Sequence, residues 1–144
     1  MRIYLAGPWF TDEQFSILET TKNVLNCFGD IEYYSPKDDC LYTPGGEITP
    51  AQVFAENLIE IDKSDAIVAI TDGLDAGTMF ECGYAFGKTQ ICYLWIKNQG
   101  FKFNIMLAES ASCVCLSYAN LTEALSSFLI NGIWPKFEYK GELE

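Results

Sequence analysis

Between Ser64-Asp65 and Thr71-Asp72 the chain runs Ala66-Ile67-Val68-Ala69-Ile70, five apolar residues in a row with no polar alternation. A strand wetted on one side alternates. An unbroken, β-branched run belongs to a central strand covered on both faces, and so to a parallel sheet flanked by helices. The rest of the chain must then supply helices for two faces.

It reads that way. Residues 2–6, 31–34, 91–96 and 112–116 carry further strand signals, and Gly7-Pro8 breaks the first of them. From the cap Thr11-Asp12, residues Phe15, Leu18, Val24, Leu25 and Phe28 fall mostly on one helical face. A second helix starts near Pro50, a favoured early helical position, with Val53, Phe54, Leu58 and Ile61 as its expected buried stripe. A third is expected from Thr78 to about residue 87, which puts Glu81 in its first turn, and a fourth over 121–129. Residues 35–49, with Pro36, Pro44, Gly45 and Gly46, read as an irregular loop, and 97–112 fit neither pattern. No repeat or linker interrupts the chain, so residues 1–144 are expected to form one domain. The alternation predicts an α/β fold: a doubly wound, mostly parallel sheet of about five strands with helices on both faces. Ligands in such sheets bind beyond the carboxyl ends of the strands, where the strand order switches. The loops at 7–11 and 71–77 should therefore meet at the site.

Composition narrows the chemistry. Nine Lys and Arg stand against twenty Asp and Glu, a net charge of −11. That field repels polyanions, so nucleic acids and anionic membranes are excluded as partners and a small, nearly neutral ligand is favoured. No apolar run is long enough to span a bilayer, and the opening Met1-Arg2-Ile3-Tyr4-Leu5 is too short for a signal peptide. A cytoplasmic protein is expected. Histidine is absent and the six cysteines form no C-x-x-C, so neither a zinc site nor a His-based triad is expected, and no metal. Cys82, Cys92, Cys113 and Cys115 lie in apolar stretches and read as small hydrophobes.

Acid–base work therefore falls mainly to carboxylates and tyrosines. The densest polar cluster is Asp72, Asp75, Thr78 and Glu81, followed by Gly83-Tyr84-Ala85. Two carboxylates converging on a cleft suit glycosidic chemistry. Thr78-Met79-Phe80-Glu81 equally fits a capping box, in which Glu81 would fold back onto its own helix end, and spacing leaves both readings open. Trp9 and Phe10 could stack on a base or form a hydrophobic lid, and Tyr33 and Tyr34 read as packing residues.

Three segments together resemble the nucleoside 2-deoxyribosyltransferase family: Ile3-Tyr4-Leu5-Ala6-Gly7-Pro8-Trp9-Phe10; Asn57 with Asp65-Ala66-Ile67-Val68-Ala69; and Asp75-Ala76-Gly77-Thr78-Met79-Phe80-Glu81-Cys82-Gly83-Tyr84-Ala85. The core pattern D-x-G-T-x-x-E-x-G-Y-A gains its specificity from the Y-L-A-G-P that precedes it. The resemblance implies a flavodoxin-like fold and a glutamate, Glu81, that attacks C1′ of a deoxyribose. It implies that Asp75 positions or protonates the base, that Tyr4 hydrogen-bonds the nucleophile and that Asn57 binds sugar hydroxyls. Gly7, Trp9, Phe10, Asp72, Gly77 and Thr78 complete the expected substrate-binding set. Asn104, with Met106 two residues on, resembles a loop that reaches a neighbouring subunit's sugar, which implies a homo-oligomer with shared active sites.

The expected reaction moves a 2-deoxyribosyl group between nucleobases through a covalent glycosyl-enzyme, by two inversions giving net retention, with no cofactor. Its partners are deoxynucleosides and free nucleobases. The helix end and Tyr4 are expected to keep Glu81 ionised. Two other readings fit the same residues: a deoxynucleoside 5′-monophosphate N-hydrolase using water as acceptor, and a non-catalytic nucleotide-binding module.

Overall fold

The computed structural model describes residues 1–40, 42–97, 102–135 and 139–144. Five strands, β1 (Arg2–Ala6), β2 (Glu32–Tyr34), β3 (Ala66–Ile70), β4 (Gln90–Leu94) and β5 (Cys113–Cys115), form one sheet in the order β2-β1-β3-β4-β5. All four pairings are parallel. This is the flavodoxin-like order, with its switch point between β1 and β3.

Among the described residues there are six helices: α1 (Asp12–Asn26), α2 (Pro36–Asp39), α3 (Pro50–Lys63), α4 (Ala76–Ala85), α5 (Ile105–Ser110) and, after the last strand, α6 (Tyr118–Asn131). Capping boxes start α1, through Thr11 and Gln14, and α3, through Thr49 and Gln52 with Pro50 at the first helical position. The α6 helix ends on Gly132, whose φ of 69° is left-handed and suits glycine. Two segments hold short helices that were not expected. The 35–49 loop contains the short α2, and 97–112 contains α5, which is too brief to show a period.

Strand alternation sorts the core into two layers. Ile3, Leu5, Val68, Ile70 and Leu94 pack with Ile17, Leu18 and Leu25 of α1 and Leu121, Leu125 and Phe128 of α6. Tyr4, Ala6, Ile67, Ala69, Ile91 and Tyr93 pack on the other side with Ile61 of α3 and Cys82 and Ala85 of α4. The α3 stripe is narrower than expected. Ile61 is buried, but Phe54 is half exposed and pairs with Phe80 of α4, ring centroids 5.7 Å apart. Among the described residues no helix is long and apolar enough to cross a membrane.

Candidate active site

Both loops leaving the switch point are shaped by close approach. A Cβ on Gly7 would lie 2.9 Å from Ile70 Cδ1, so only glycine lets the chain leaving β1 pass the end of β3. After β3, the Leu74 N–H donates to the Thr71 carbonyl at 3.1 Å, closing a turn whose third residue, Gly73, has φ +82°. Leu74 itself sits at φ 48°, a left-handed conformation uncommon for a leucine.

The turn delivers Asp75 to the start of α4, where its Oδ2 accepts from the Thr78 N–H at 2.9 Å and from the Thr78 hydroxyl at 3.0 Å. Asp75 is thus the N-cap, and the Thr78–Glu81 capping box does not form. An anionic Asp is a strong cap at the positive end of a helix. The helix starts two residues earlier than expected, and Glu81 lies in its second turn rather than its first.

Released from capping, Glu81 accepts a hydrogen bond from the hydroxyl of Tyr4 at 2.6 Å, the length of a charge-assisted O–H···O⁻ contact. Strand alternation aims Tyr4 at α4, because Tyr4 shares its face of β1 with Ala6. Burial pushes the Glu81 carboxyl up to about 7. The hydrogen bond from Tyr4 pulls it down, and the charge of Asp75 adds to the rise. The hydrogen bond from Tyr4 thus acts in the expected direction, but the helix dipole fades beyond the first turn and desolvation outweighs the single donor. Burial and the adjacent Glu81 drive the Tyr4 phenol far above its ordinary range, so it stays a donor.

Glu81 opens onto a cleft of about 190 Å³ lined also by Gly7, Pro8, Trp9, Phe10, Pro36, Asn57, Asp75, Gly77 and Thr78. A wider groove of about 420 Å³, lined by Tyr42, Pro50, Val53, Phe54, Leu58 and Phe80, shares Asn57, Gly77 and Glu81 with it. Trp9 and Phe10 stand 5.1 Å apart, and Phe10 is 70% exposed. Strands far apart in the chain thus bring together Tyr4, Gly7, Trp9, Phe10, Asn57, Asp75, Gly77, Thr78 and Glu81. The sequence reading missed the Phe54–Phe80 pair. Its one signal was an aromatic on each of two consecutive helices, of which Phe54 was expected in a buried stripe and Phe80 had no expected role.

Three expected residues lie elsewhere. Asp72 is buried, and both its oxygens are taken by backbone donors, Ile96 N–H at 2.9 Å and Lys97 N–H at 2.6 Å. It braces the loop after β3 against the chain leaving β4. With Asn104 it lines a separate cleft of about 560 Å³ that also includes Trp95, Phe103 and Glu144. Asn104 caps α5, accepting from the Met106 N–H at 2.9 Å, and the Met106 side chain is exposed. Within one chain none of the three lines the cleft before Glu81.

Metal-ligand chemistry points to a different place. The sulfurs of Cys92, Cys113 and Cys115 lie within 4.8 Å of one another, in the layer packed by α1 and α6. The spacing hid this group, because two of its members are alternate residues of β5 and the third comes from β4. The surroundings are apolar, and the Cys92 and Cys115 thiols are pushed up by contact with neighbouring thiols and by burial. They pack as neutral side chains.

A family model described as nucleoside 2-deoxyribosyltransferase matches residues 3–114. Among solved structures, the fold resembles a 2-deoxyribosyltransferase from Bacillus psychrosaccharolyticus, with a TM-score of 0.71 and 23% identity over 85% of this chain and 90% of that one. It also resembles a 2-deoxyribosyltransferase from Leishmania mexicana, with a TM-score of 0.64 and 23% identity over 92% and 99%. A third, the CMP N-glycosidase of Clostridium botulinum, gives a TM-score of 0.61 and 16% identity over 89% and 99%. No match is found among curated proteins.

Proposed function

The chain belongs to the nucleoside 2-deoxyribosyltransferase family, and we propose that it transfers a 2-deoxyribosyl group between nucleobases, with Glu81 as nucleophile. One observation carries this reading: a carboxylate held by Tyr4 lines an open cleft together with Asn57, Asp75, Trp9 and Phe10.

A 2′-deoxynucleoside enters with its base against Trp9 and Phe10, where stacking is worth roughly 1–3 kcal/mol. Glu81 attacks C1′ as the bond from C1′ to the base nitrogen breaks, through an oxocarbenium-like transition state. The bonding electrons leave with the base, which takes a proton from a water that the Asp75 carboxylate orients. A second base then attacks C1′ of the glycosyl-enzyme, the C1′–Glu81 bond breaks to release the carboxylate, and the proton of the incoming base returns to the hydroxide left by the first step. Two inversions give net retention. Asn57, adjacent to Glu81 in both clefts, binds a sugar hydroxyl. None of these steps calls on a metal or an organic cofactor.

An unphosphorylated substrate is favoured over a 5′-monophosphate. Among the described residues no Lys or Arg lines either cleft, and Lys37 of α2 and Lys22 of α1 are tied to Glu19 and Asp38. The net charge of −11 works in the same direction. Water must also be kept from the glycosyl-enzyme. The exposed Phe10, Phe54 and Phe80 around the site offer an apolar rim for a second subunit, which is how Asn104 would join it. A water-accepting N-glycosidase remains the second reading, because the wider groove is open.

The deciding experiment incubates the protein with each of the four 2′-deoxynucleosides and a different free base, with a ribonucleoside as control. New deoxynucleoside establishes transfer. Free deoxyribose alone establishes hydrolysis, and no turnover of any deoxynucleoside ends the reading.

A further inference from the structure

Tyr34 lines neither cleft, yet it touches Asn57, which lines both, and Tyr4, the donor to Glu81. It closes β2 and is only 6% exposed. Its ring stacks on that of Tyr4, centroids 5.6 Å apart and planes 24° from parallel. Its hydroxyl donates to Asn57 Oδ1 at 3.3 Å. Tyr4 donates in turn to Glu81. One buried side chain therefore sits between the donor that serves the carboxylate and the amide that shares its cleft.

The chemistry gives this contact a direction. Burial, with the charges of Glu56, Asp39 and Glu60 and the Cys40 thiol nearby, pushes the Tyr34 phenol up, so it keeps its proton and donates throughout the working range. A donor on Oδ1 fixes which end of the Asn57 amide remains for a ligand. It is the N–H₂ end, which can donate to a sugar hydroxyl oxygen or a base carbonyl.

We propose that Tyr34 is a positioning residue that sets the Asn57 amide and the Tyr4 ring from a single point. Its hydroxyl orients the amide with N–H₂ toward the ligand, and its ring braces the tyrosine that serves Glu81. This rests on the reading of Glu81 as nucleophile. The two functions of Tyr34 separate chemically, because the hydroxyl can be removed while the ring is kept.

Tyr34→Phe is expected to raise KM for 2′-deoxyadenosine and 2′-deoxycytidine about 3- to 10-fold, the equivalent of one lost orienting hydrogen bond, with kcat within about twofold. The pH midpoint governed by Glu81 stays where it is. In an Asn57→Ala background the same substitution leaves KM unchanged, because the hydroxyl then has no amide to orient. Tyr34→Leu, which also removes the stacked ring, lowers kcat and moves the pH midpoint upward. An unchanged KM in Tyr34→Phe, or an equal change with and without Asn57, overturns the proposal. If the native protein turns over no deoxynucleoside, the nucleophile reading fails instead. Calorimetric binding of 2′-deoxyadenosine in a Glu81→Gln background then tests Tyr34 by the same comparison.

Discussion

The sheet's two faces are built by the same strands and filled in opposite ways. Toward α1 and α6, β1 sends Ile3 and Leu5, and the layer they enter is rich in leucine, isoleucine and phenylalanine and holds three clustered thiols. Toward α3 and α4 the same strand sends Tyr4 and Ala6. The layer they enter holds a tyrosine pair, and α4 lays a half-buried carboxylate against it. The first layer supplies stability through apolar burial. The second gives some of that stability up, because it desolvates a charge with one hydrogen bond to compensate. A one-residue slip of β1 would exchange the two faces, so register places the chemistry as firmly as any site residue does.

The sharpest break of this contrast is Glu81→Gln. Loss of the nucleophile is expected to cost at least roughly 10³-fold in base exchange. Its effect on stability has the opposite sign. The folded carboxyl titrates near 7 against an ordinary 4.5, so between these values the native state binds more protons than the unfolded one. The native protein therefore loses stability as pH rises through that window, by roughly 3 kcal/mol once both forms are ionised. The glutamine variant escapes this loss. Thermal melts at pH 5 and pH 8 should show it gaining on the native protein at the higher pH. Equal pH dependence in the two proteins would mean that Glu81 carries no desolvated charge.

Tyr4→Phe sharpens the same contrast with a smaller effect. It keeps the ring and its stacking but removes the donor that lowers the Glu81 titration, so the midpoint moves above 7. A fall of about 10- to 100-fold in kcat/KM is expected at neutral pH, the range of a lost charge-assisted hydrogen bond. Because attack needs the ionised form, the deficit should shrink as pH rises past the new midpoint. A pH-independent deficit would show that Tyr4 acts by some route other than the charge of Glu81.

The contrast also explains what could be read in advance. Layer-forming elements were legible because their signals are local: the apolar run of β3, the Thr11 cap and the Pro50 start of α3 all sit inside a few residues. The start of α4 was not. Asp75-x-x-Thr78 and Thr78-x-x-Glu81 offer overlapping cap patterns, and the outcome depends on Tyr4, remote in the chain, which engages Glu81. Phe54 looked like core because an aromatic beside a cleft has the same helical spacing as one inside. Asp72 looked like part of the site because of its place in the loop, yet two backbone donors from beyond β4 occupy it. Each of these outcomes turns on a partner remote in sequence, which no local pattern carries.

The smallest expected effect tests the quiet face. Cys115 is fully buried, with its sulfur 3.6 Å from that of Cys92 and 3.7 Å from that of Cys113. If these thiols are only packing, Cys115→Ala removes one heavy atom from a close-packed layer. The cost is then about 1 kcal/mol, or a melting temperature lower by roughly 2–4 °C. Base exchange should be unchanged, because the sheet itself separates this sulfur from Glu81. Zinc added to the reduced native protein should leave its melt where it was, since binding would first have to strip protons from thiols that burial and one another hold protonated. A zinc-dependent rise in melting temperature, abolished by Cys115→Ala, would give this face a function of its own and remove the asymmetry from which the comparison starts.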